Sequence, residues 1–329
     1  MTNVLVTGGA GYIGSHTCKA LALAGYTPVT YDNLVYGHEW AVKWGPLETG
    51  DILDKARLSQ VLEKYQPKAI MHFAAYAYVG ESVQNPGKYY RNNTAGALSV
   101  LESASDHSIN KLAFSSTCAT FGAPSKVPIV EDETQSPINP YGASKLMVER
   151  MLSDFDIAHG MRSASLRYFN AAGADPDGEI GEDHNPETHL IPLVLDAACG
   201  LRPAITVFGH AYDTLEGPCI RYYVHVCELA DAHVLALRAL EDGASSLAVN
   251  LGNGHGFSVK EVIDTAQRVT GRSIPVEYGP RREGGPPALV GDATTACNLL
   301  GWQPRLGALD DIIDTAWKWH YKHFATSRG

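Results

Sequence analysis

The stretch Val4-Leu5-Val6-Thr7-Gly8-Gly9-Ala10-Gly11-Tyr12-Ile13-Gly14 carries the strongest structural signal in the chain. An apolar run rich in β-branched residues stops at three glycines spaced G-x-x-G-x-x-G, and a helical pattern of apolar residues follows. This order predicts a strand, a tight turn and the N-terminus of a helix. Glycines let such a turn approach a diphosphate closely, and the helix start offers free N–H groups and a partial positive charge.

An acidic residue supports the same reading of the turn. A second apolar run at residues 27–31 ends at Asp32, eighteen residues after Gly14. A carboxylate there can accept hydrogen bonds from both hydroxyls of an adenosine ribose, and it would repel a 2′-phosphate. A glycine pattern alone also fits an ordinary turn between strand and helix. The two features together favour a site for NAD.

Composition excludes several other classes of function. The 329 residues include 26 Lys+Arg against 36 Asp+Glu, giving a formal net charge of -10, which argues against a nucleic-acid or anionic membrane surface. No apolar run reaches the roughly 20 residues that span a bilayer. The first residues enter a strand without a signal-peptide pattern, and the six cysteines are scattered without a CxxC pair. We therefore expect a cytoplasmic protein.

Strand and helix patterns alternate through the first half of the chain. Apolar runs at residues 69–75, 111–115 and 162–168 are separated by long helical patterns at 89–105 and 144–159. Alternation of this kind predicts an α/β protein with a Rossmann-type, doubly wound parallel sheet that binds ligands at the carboxyl ends of its strands.

The composition of the sequence changes after Asn170. Residues 171–192 are rich in Gly, Asp, Glu and Pro, which is typical of an ordered binding loop or lid. We place an NAD-binding Rossmann domain at 1–172, with some later segments returning to it. A smaller mixed α/β domain at 173–329 would bind the substrate.

Tyr141 and Lys145 stand at positions i and i+4 of a predicted helix start and so share one face. An ammonium beside a phenol favours the phenolate and lowers a pKa that is otherwise about 10. Tyr141 is therefore a candidate general base. The triplet Ser115-Ser116-Thr117 ends a predicted strand, and a hydroxyl there could bridge a substrate hydroxyl and the tyrosine oxygen. A strand-end turn explains the triplet equally well.

Two further groups of residues could hold ligands. Glu182, Asp183, His184, Glu187 and His189 lie close together in the chain, but zinc sites usually show tighter paired spacing. We expect a polar loop and no metal. Arg221 and Arg282 could clamp a diphosphate bidentately, although surface salt bridges are the default interpretation of single arginines.

The chain resembles the extended short-chain dehydrogenase/reductases, in their sugar-nucleotide epimerase branch. The likeness runs from Val4 to about Trp317, and its motifs are VTGGAGYIGSH, HFAAYAYVGESV, INPYGASKLMVE, LRYFNAAGA and GEDHNPETHLIP. The resemblance implies reversible epimerisation at C4 of a UDP-sugar, either UDP-glucose or UDP-galactose, through a 4-keto intermediate with tightly bound NAD. It also implies a homodimer built on the two long helices.

The resemblance assigns roles to residues at the matching positions. Tyr141, Lys145 and Thr117 would be catalytic. The cofactor would contact Gly8, Gly11, Tyr12, Ile13, Gly14, Asp32, Asn33, Asp51, Ile52, Phe73, Ala74, Ala75, Asn92, Tyr141, Lys145 and Phe169. The UDP-sugar would contact Thr117, Asn170, His189, Leu190, Phe208, Arg221, Arg282 and Leu289. Leucine at the last position offers an amide no hydrogen bond, so N-acetyl sugars should be poor substrates, whereas pentoses should fit.

Two positions depart from the family pattern, and two other functions stay open. Tyr222 and Gly285 both stand where the family usually has Asp. A related dehydrogenase or 4,6-dehydratase is one alternative, although Cys118 and Ala119 follow Thr117 where a dehydratase would carry Asp-Glu. A UDP-pentose 4-epimerase is another. A catalytically inactive nucleotide sensor is disfavoured by the intact Tyr141 and Lys145 pair.

Overall fold

A computed structural model describes residues 1–124, 126–208, 222–252, 254, 256–279 and 291–325, without the side chain of Phe208. The largest element is a parallel sheet of seven strands. Its strands are β1 (Thr2–Thr7), β2 (Tyr26–Asp32), β3 (Leu47–Thr49), β4 (Ala69–His72), β5 (Lys111–Ser115), β6 (Arg162–Arg167) and β10 (Leu247–Asn250). The predicted α/β fold is confirmed.

The strand order across the sheet is β10-β6-β5-β4-β1-β2-β3. The order reverses between β1 and β4, where Val6 pairs with Thr30 of β2 on one side and with Met71 of β4 on the other. Ligands of open α/β sheets bind outside the carboxyl ends of strands at such a switch point. The loops that follow β1, β2, β4, β5 and β6 therefore form the expected site.

Helices cover both faces of the sheet. The helices of the first part are α1 (Tyr12–Leu23), α2 (Lys55–Tyr65), α3 (Val79–Gln84), α4 (Pro86–Tyr89), α5 (Gly96–Asp106) and α6 (Pro140–His159). Side chains alternate along a strand, so Leu5 packs with α2, α5 and α6, whereas Val4 and Val6 pack with α1 and α8 (Val226–Glu241). Burial on both faces explains the nearly continuous apolar strands.

Most of the remaining elements form a second hydrophobic core. They are β7 (Asn170–Ala172), α7 (Leu190–Ala198), β8 (Ile205–Phe208), β9 (Tyr223–His225), α9 (Val259–Thr270), β11 (Val276–Gly279) and α11 (Leu309–His320). Helix α10 (Thr294–Leu300) instead packs with α8 and β10. Helices α7, α9 and α11 share buried apolar residues with β8 and β11. Because α8 and β10 pack with the large sheet, the boundary near residue 172 stays a prediction. None of the helices in the described ranges has the length and hydropathy that crossing a membrane requires.

The edge strand β3 is fixed by a mostly buried carboxylate. Glu48 accepts hydrogen bonds from Lys64 Nζ at 2.6 Å, Tyr65 Oη at 2.7 Å and Arg57 at 2.5 Å, all on α2. These partners, with Lys64 first, lower the pKa of Glu48 to about 2. Because Lys64 is itself exposed, salt weakens its share of this interaction.

Glu48→Gln should lower the free energy of unfolding at neutral pH by roughly 1–3 kcal/mol, because the amide loses charge-assisted hydrogen bonds. The folded pKa of about 2 lies below the ordinary 4.5, so the stabilisation is full above pH 4.5 and disappears as the pH falls through 2. Denaturant unfolding at several pH values measures the gap between variant and parent. The matched control is Glu277→Gln, an exposed glutamate of β11. A gap that stays constant down to pH 2 would contradict this assignment.

Candidate active site

The turn between β1 and α1 is closed so tightly that only glycine fits at two positions. Gly8 has φ +73°, and a Cβ there would lie 2.6 Å from the backbone nitrogen of Ala74. A Cβ on Gly14 would lie 2.1 Å from the carbonyl oxygen of Gly8. Helix α1 begins at Tyr12, and its N-cap, Gly11, makes no side-chain hydrogen bond. The first N–H groups of α1 thus have no side-chain acceptor, as a diphosphate site requires.

Two acidic residues lie at the ends of neighbouring strands. Asp32 is 7% exposed; Oδ2 accepts a hydrogen bond from Ala10 N at 3.0 Å and Oδ1 from Leu34 N at 2.9 Å. Burial raises the pKa of Asp32, and the backbone hydrogen bonds oppose that rise. Asn33 Nδ2 donates to Asp51 Oδ2 at 3.1 Å. The structure therefore places Asp51, another predicted cofactor contact, beside the predicted ribose site at Asp32 and Asn33.

The other candidate cofactor residues follow the strands of the same edge. Ile52 lies after β3, the segment Phe73, Ala74 and Ala75 follows β4, and Phe169 follows β6. Asn92 lies in a π-helical turn at Tyr90–Ala95. Such turns occur frequently at functional sites. The apolar periodicity predicted one uninterrupted helix over 89–105, and the π-helical turn interrupts it.

The π-helical turn also places a neighbouring asparagine that the sequence did not single out. Asn93 is 2% exposed and accepts a hydrogen bond from Tyr76 N at 2.9 Å. Its Nδ2 donates to Tyr76 O at 3.0 Å and to Ser144 Oγ at 3.1 Å. Asn93 thus ties the segment after β4 to the start of α6.

Helix α6 presents Tyr141 and Lys145 beside the end of β5. Asn139 caps the helix by accepting a hydrogen bond from Gly142 N at 2.8 Å, which fixes the first turn. The half-buried Tyr141 lies beside Thr117, whose side chain favours the ionised phenol. The buried Lys145 Nζ donates to the carbonyl oxygen of Ser115 at 2.7 Å. All three predicted catalytic residues therefore lie within one small region.

Burial dominates the electrostatics of Tyr141 and Lys145. Burial raises the pKa of Tyr141 to about 12, and the neighbouring Thr117 side chain opposes that rise only in part. Burial lowers the pKa of Lys145 to about 7, with the carboxylate of Glu149 opposing it. Lys145 directs its Nζ at the carbonyl oxygen of Ser115. That Lys145 together with the positive charge of NAD makes Tyr141 a general base stays a prediction.

A buried ion pair lies next to Ser116, the neighbour of Thr117, and helps to hold this segment in place. Glu149 and Arg167 are 8% and 7% exposed and form two hydrogen bonds, of 2.7 and 3.0 Å. Glu149 also accepts from Ser116 Oγ at 2.5 Å and from Gln135 Nε2 at 2.8 Å. Sequence reasoning missed this network. The only hint of this network in the sequence was Glu149, which stands four residues after Lys145 on the same predicted helix.

The residues predicted to bind UDP fall into two groups. Asn170 Nδ2 donates to Tyr222 O at 3.0 Å, His189 is the N-cap of α7, and Leu190 is its first residue. Phe208 ends β8. Arg221, Arg282 and Leu289, together with the departure at Gly285, lie outside the residues that the structure describes.

The loop between β7 and α7 is held at several points. Tyr12 Oη donates to Gly173 O at 2.6 Å. Lys19 Nζ contacts Asp175, Asp177 and Glu179 at 2.7–2.9 Å. A Cβ on Gly181 would lie 2.3 Å from the Trp319 ring. Of the two alternatives stated from the sequence, these contacts favour an ordered binding loop over a lid.

Charged residues converge near the end of this loop. Glu182 Oε1 lies 3.1 Å from His184 Nδ1 and 2.6 Å from His189 Nδ1. Burial opposes protonation of His189, but the charge of Glu182 outweighs it and raises the pKa of His189 to about 10. Burial likewise opposes ionisation of Glu182, yet the two histidines lower the pKa of Glu182 to about 2. His189 is thus a cation beside the predicted UDP site.

The fold and this site define a Rossmann-type nucleotide-dependent enzyme with the tyrosine–lysine pair of the short-chain dehydrogenase/reductases. A family model, NAD dependent epimerase/dehydratase family, matches residues 4–252. The chain belongs to that family.

Relatives match over nearly the whole chain. UDP-glucose 4-epimerase of Rhizobium meliloti (strain 1021) is 52% identical over 318 residues, 97% of each chain. The crystal structure of UDP-glucose 4-epimerase from Brucella ovis in complex with NAD superposes with TM-score 0.95 at 53% identity, covering 99% of both chains. The Bifidobacterium longum enzyme in complex with NAD+ and UDP gives TM-score 0.91 at 36% identity, covering 98% of this chain and 99% of that one.

Gly14→Ala should reduce the NAD retained on purification and lower the melting temperature, because the added Cβ forces the Gly8 carbonyl away. Overpacking of this kind typically costs about 1–3 kcal/mol. Bound nucleotide released by denaturation and thermal unfolding are the two measurements. Gly80→Ala, on α3, is the control, since its Cβ would meet nothing within 4 Å. Parental nucleotide content and stability in Gly14→Ala would show that the turn tolerates a side chain.

Proposed function

We propose that the chain is an NAD-dependent UDP-glucose 4-epimerase, which interconverts UDP-glucose and UDP-galactose at C4 through a 4-keto intermediate. The observation that carries the proposal is the placement of Tyr141 beside Thr117 at the carboxyl edge of the sheet, with Lys145 one turn along α6. Full-length relatives with this activity, at 46–53% identity, support the choice of reaction.

The cradle around Gly8 and Gly14 and the carboxylate of Asp32 would hold the cofactor. NAD would supply reversible redox chemistry and, in its oxidised form, a positively charged ring. Tyr141 would then ionise more readily than burial alone allows. Tyr141 then accepts the proton of the sugar 4-hydroxyl and later returns it. Thr117 holds the oxygen in place throughout.

The alternative reactions have less support. Cys118 stands where a dehydratase would carry an acid, it is fully buried, and burial raises the pKa of its thiol. A neutral buried thiol cannot replace a carboxylic acid in proton transfer at neutral pH. A dehydrogenase that releases reduced cofactor would need a site that opens to exchange it, whereas the loop at 173–189 is clamped.

We also propose which residues bind the UDP-sugar. Asn170, His189, Leu190, Phe208, Arg221 and Arg282 would bind the UDP part. His189 is suited to a diphosphate because Glu182 keeps it protonated. Leu289 would border the sugar, favouring hexoses over N-acetyl sugars. Gly173–Gly329, apart from α8 and β10, would form the substrate-binding domain.

We further propose a cytoplasmic homodimer that forms through α5 and α6. These helices pack side by side in the chain, and apolar residues remain exposed on them and on the adjoining turn: Tyr90 at 37%, Leu98 at 37% and Met147 at 44%. A second copy would cover this surface. The five described cysteines are free thiols, as expected in a reducing compartment.

Tyr141→Phe should lower kcat about 10²–10⁴-fold, because it removes the oxygen that carries the proton. Affinity for UDP should be preserved, since the phenol acts on the sugar. Steady-state turnover of UDP-galactose gives kcat, and calorimetric titration with UDP gives the affinity.

The control for this variant is Tyr26→Phe, whose hydroxyl contacts Glu241 on the surface, far from α6. It should keep full activity. Near-parental turnover by Tyr141→Phe would refute the catalytic role of the tyrosine.

A further inference from the structure

One stripe of α6 faces the triplet 115–117 at the end of β5. Tyr141, Lys145 and Glu149 follow one another at intervals of four residues and so lie on one face of the helix. Tyr141 lies beside the third residue of the triplet, and Lys145 Nζ donates to the carbonyl oxygen of the first at 2.7 Å. Glu149 Oε1 accepts a hydrogen bond from the hydroxyl of the second, Ser116, at 2.5 Å. The stripe thus meets the whole triplet, and Glu149 holds its middle residue.

Partners from two other parts of the chain hold the carboxylate of Glu149. Arg167, the last residue of β6, donates from Nε to Oε1 at 3.0 Å and from Nη2 to Oε2 at 2.7 Å. Gln135 Nε2 also donates to Oε2 at 2.8 Å. The side chains of Glu149 and Arg167 are 8% and 7% exposed. A bidentate pair of this kind fixes the plane and the position of the carboxylate, and thereby the position of the Ser116 hydroxyl.

Stability alone is a poor explanation of this buried ion pair. Taking two charges out of water costs about as much as their attraction returns, so an apolar pair of similar volume is often equally stable. What the charged pair adds is a defined geometry at the carboxyl end of β6. A second pair between the same two elements, Asp156 of α6 with Arg162 of β6, lies at the opposite end of that strand, where Arg162 is half exposed.

The position of Ser116 is passed directly to its neighbour Thr117. The backbone nitrogens of Ser116 and Cys118 donate to the carbonyl oxygens on either side of Arg167, at 2.8 and 3.1 Å. Thr117 lies between these two bonds and caps the short turn that follows, because its Oγ1 accepts from Ala119 N at 3.1 Å. A shift of Arg167 or of the Ser116 side chain would therefore move the Thr117 hydroxyl.

Glu149 also acts on Lys145 through its charge. Burial lowers the pKa of Lys145 to about 7, and the carboxylate of Glu149 opposes that effect. Two buried histidines also interact with the charge of Lys145, His72 on β4 and His233 on α8. Burial lowers their pKa values to about 3 and about 4, so both are neutral at neutral pH. Glu149 thus favours the ammonium form of Lys145, and the neutral histidines do not oppose it.

We propose that Glu149 is a positioning residue of the reaction, because its carboxylate holds Ser116 against Arg167 and so sets the place of the Thr117 hydroxyl beside Tyr141. The inference rests on the proposed function, in which Tyr141 takes the proton of the sugar 4-hydroxyl with Thr117 at its side. Glu149 exchanges no proton with the sugar in this account. It acts only through the residues that do.

Two substitutions of different severity test the role of Glu149. Ser116→Ala removes one hydroxyl and leaves the ion pair in place, whereas Glu149→Gln keeps the size of the side chain and removes its charge. A displacement of about 1 Å in a catalytic group can cost roughly 10²-fold in rate. We therefore expect each variant to lower kcat for UDP-galactose by roughly 10–100-fold, while the affinity for UDP, measured by calorimetry, stays parental.

Asp156→Asn is the matched control, because it removes a carboxylate that joins α6 to β6 at the other end of the strand. It should keep the parental kcat even if it lowers the melting temperature. A second measurement needs no substrate: hydrogen exchange of the backbone amides of residues 115–121, followed by mass spectrometry on the purified holoenzyme. Exchange there should be faster in Ser116→Ala and Glu149→Gln than in the parent and in Asp156→Asn.

The two measurements separate the positioning role from the proposed function. A parent that does not convert UDP-galactose would refute the proposed function, and hydrogen exchange would then decide alone whether Glu149 positions the segment. The positioning role is overturned if both variants keep the parental kcat, if their exchange over 115–121 is parental, or if Asp156→Asn lowers kcat as much as they do. Ser116→Ala decides the matter if Glu149→Gln does not fold.

Discussion

The close contact between Gly14 and the carbonyl of Gly8 is the constraint on which the rest of the site depends. It lets α1 start directly against the end of β1, at the point where the strand order reverses. A Cβ added at Gly8 would lie only 2.6 Å from the backbone nitrogen of Ala74, so the segment after β4 lies directly against the turn. The ends of β1, β2 and β4 form a single cradle as a result. Asp32, Ala74 and the first N–H groups of α1 can all face one elongated ligand.

Helix α1 also connects this cradle to the loop between β7 and α7, in the second half of the chain. Tyr12 belongs to the glycine turn, yet its hydroxyl binds the carbonyl of Gly173, and Lys19 on the same helix binds Asp175. The helix that would contact the cofactor therefore also positions the loop that would contact the substrate. Residues more than 150 positions apart thus share one rigid support.

The sequence predicted much of this arrangement because the signals were local. Apolar runs located β1, β2, β4, β5 and β6 to within a few residues, and the i, i+4 spacing placed Tyr141 and Lys145 on one face. It could not predict what depends on distant contacts. The π-helical turn that carries Asn92 interrupts a regular periodicity, and Glu149 finds Arg167 only through the packing of α6 on β6. The direction of the Lys145 side chain depends on tertiary contacts too: it stands one turn from Tyr141 but donates to the carbonyl oxygen of Ser115.

The proposed mechanism requires that the hydrogen removed from C4 of the sugar never leaves the enzyme. The most direct measurement uses UDP-galactose deuterated at C4, incubated with the purified protein and no added nucleotide. UDP-glucose should form and its C4 should keep the deuterium, because the cofactor stays bound and returns the same atom. Loss of the label to solvent or to a free reduced nucleotide would contradict it, as would a strict need for added NAD.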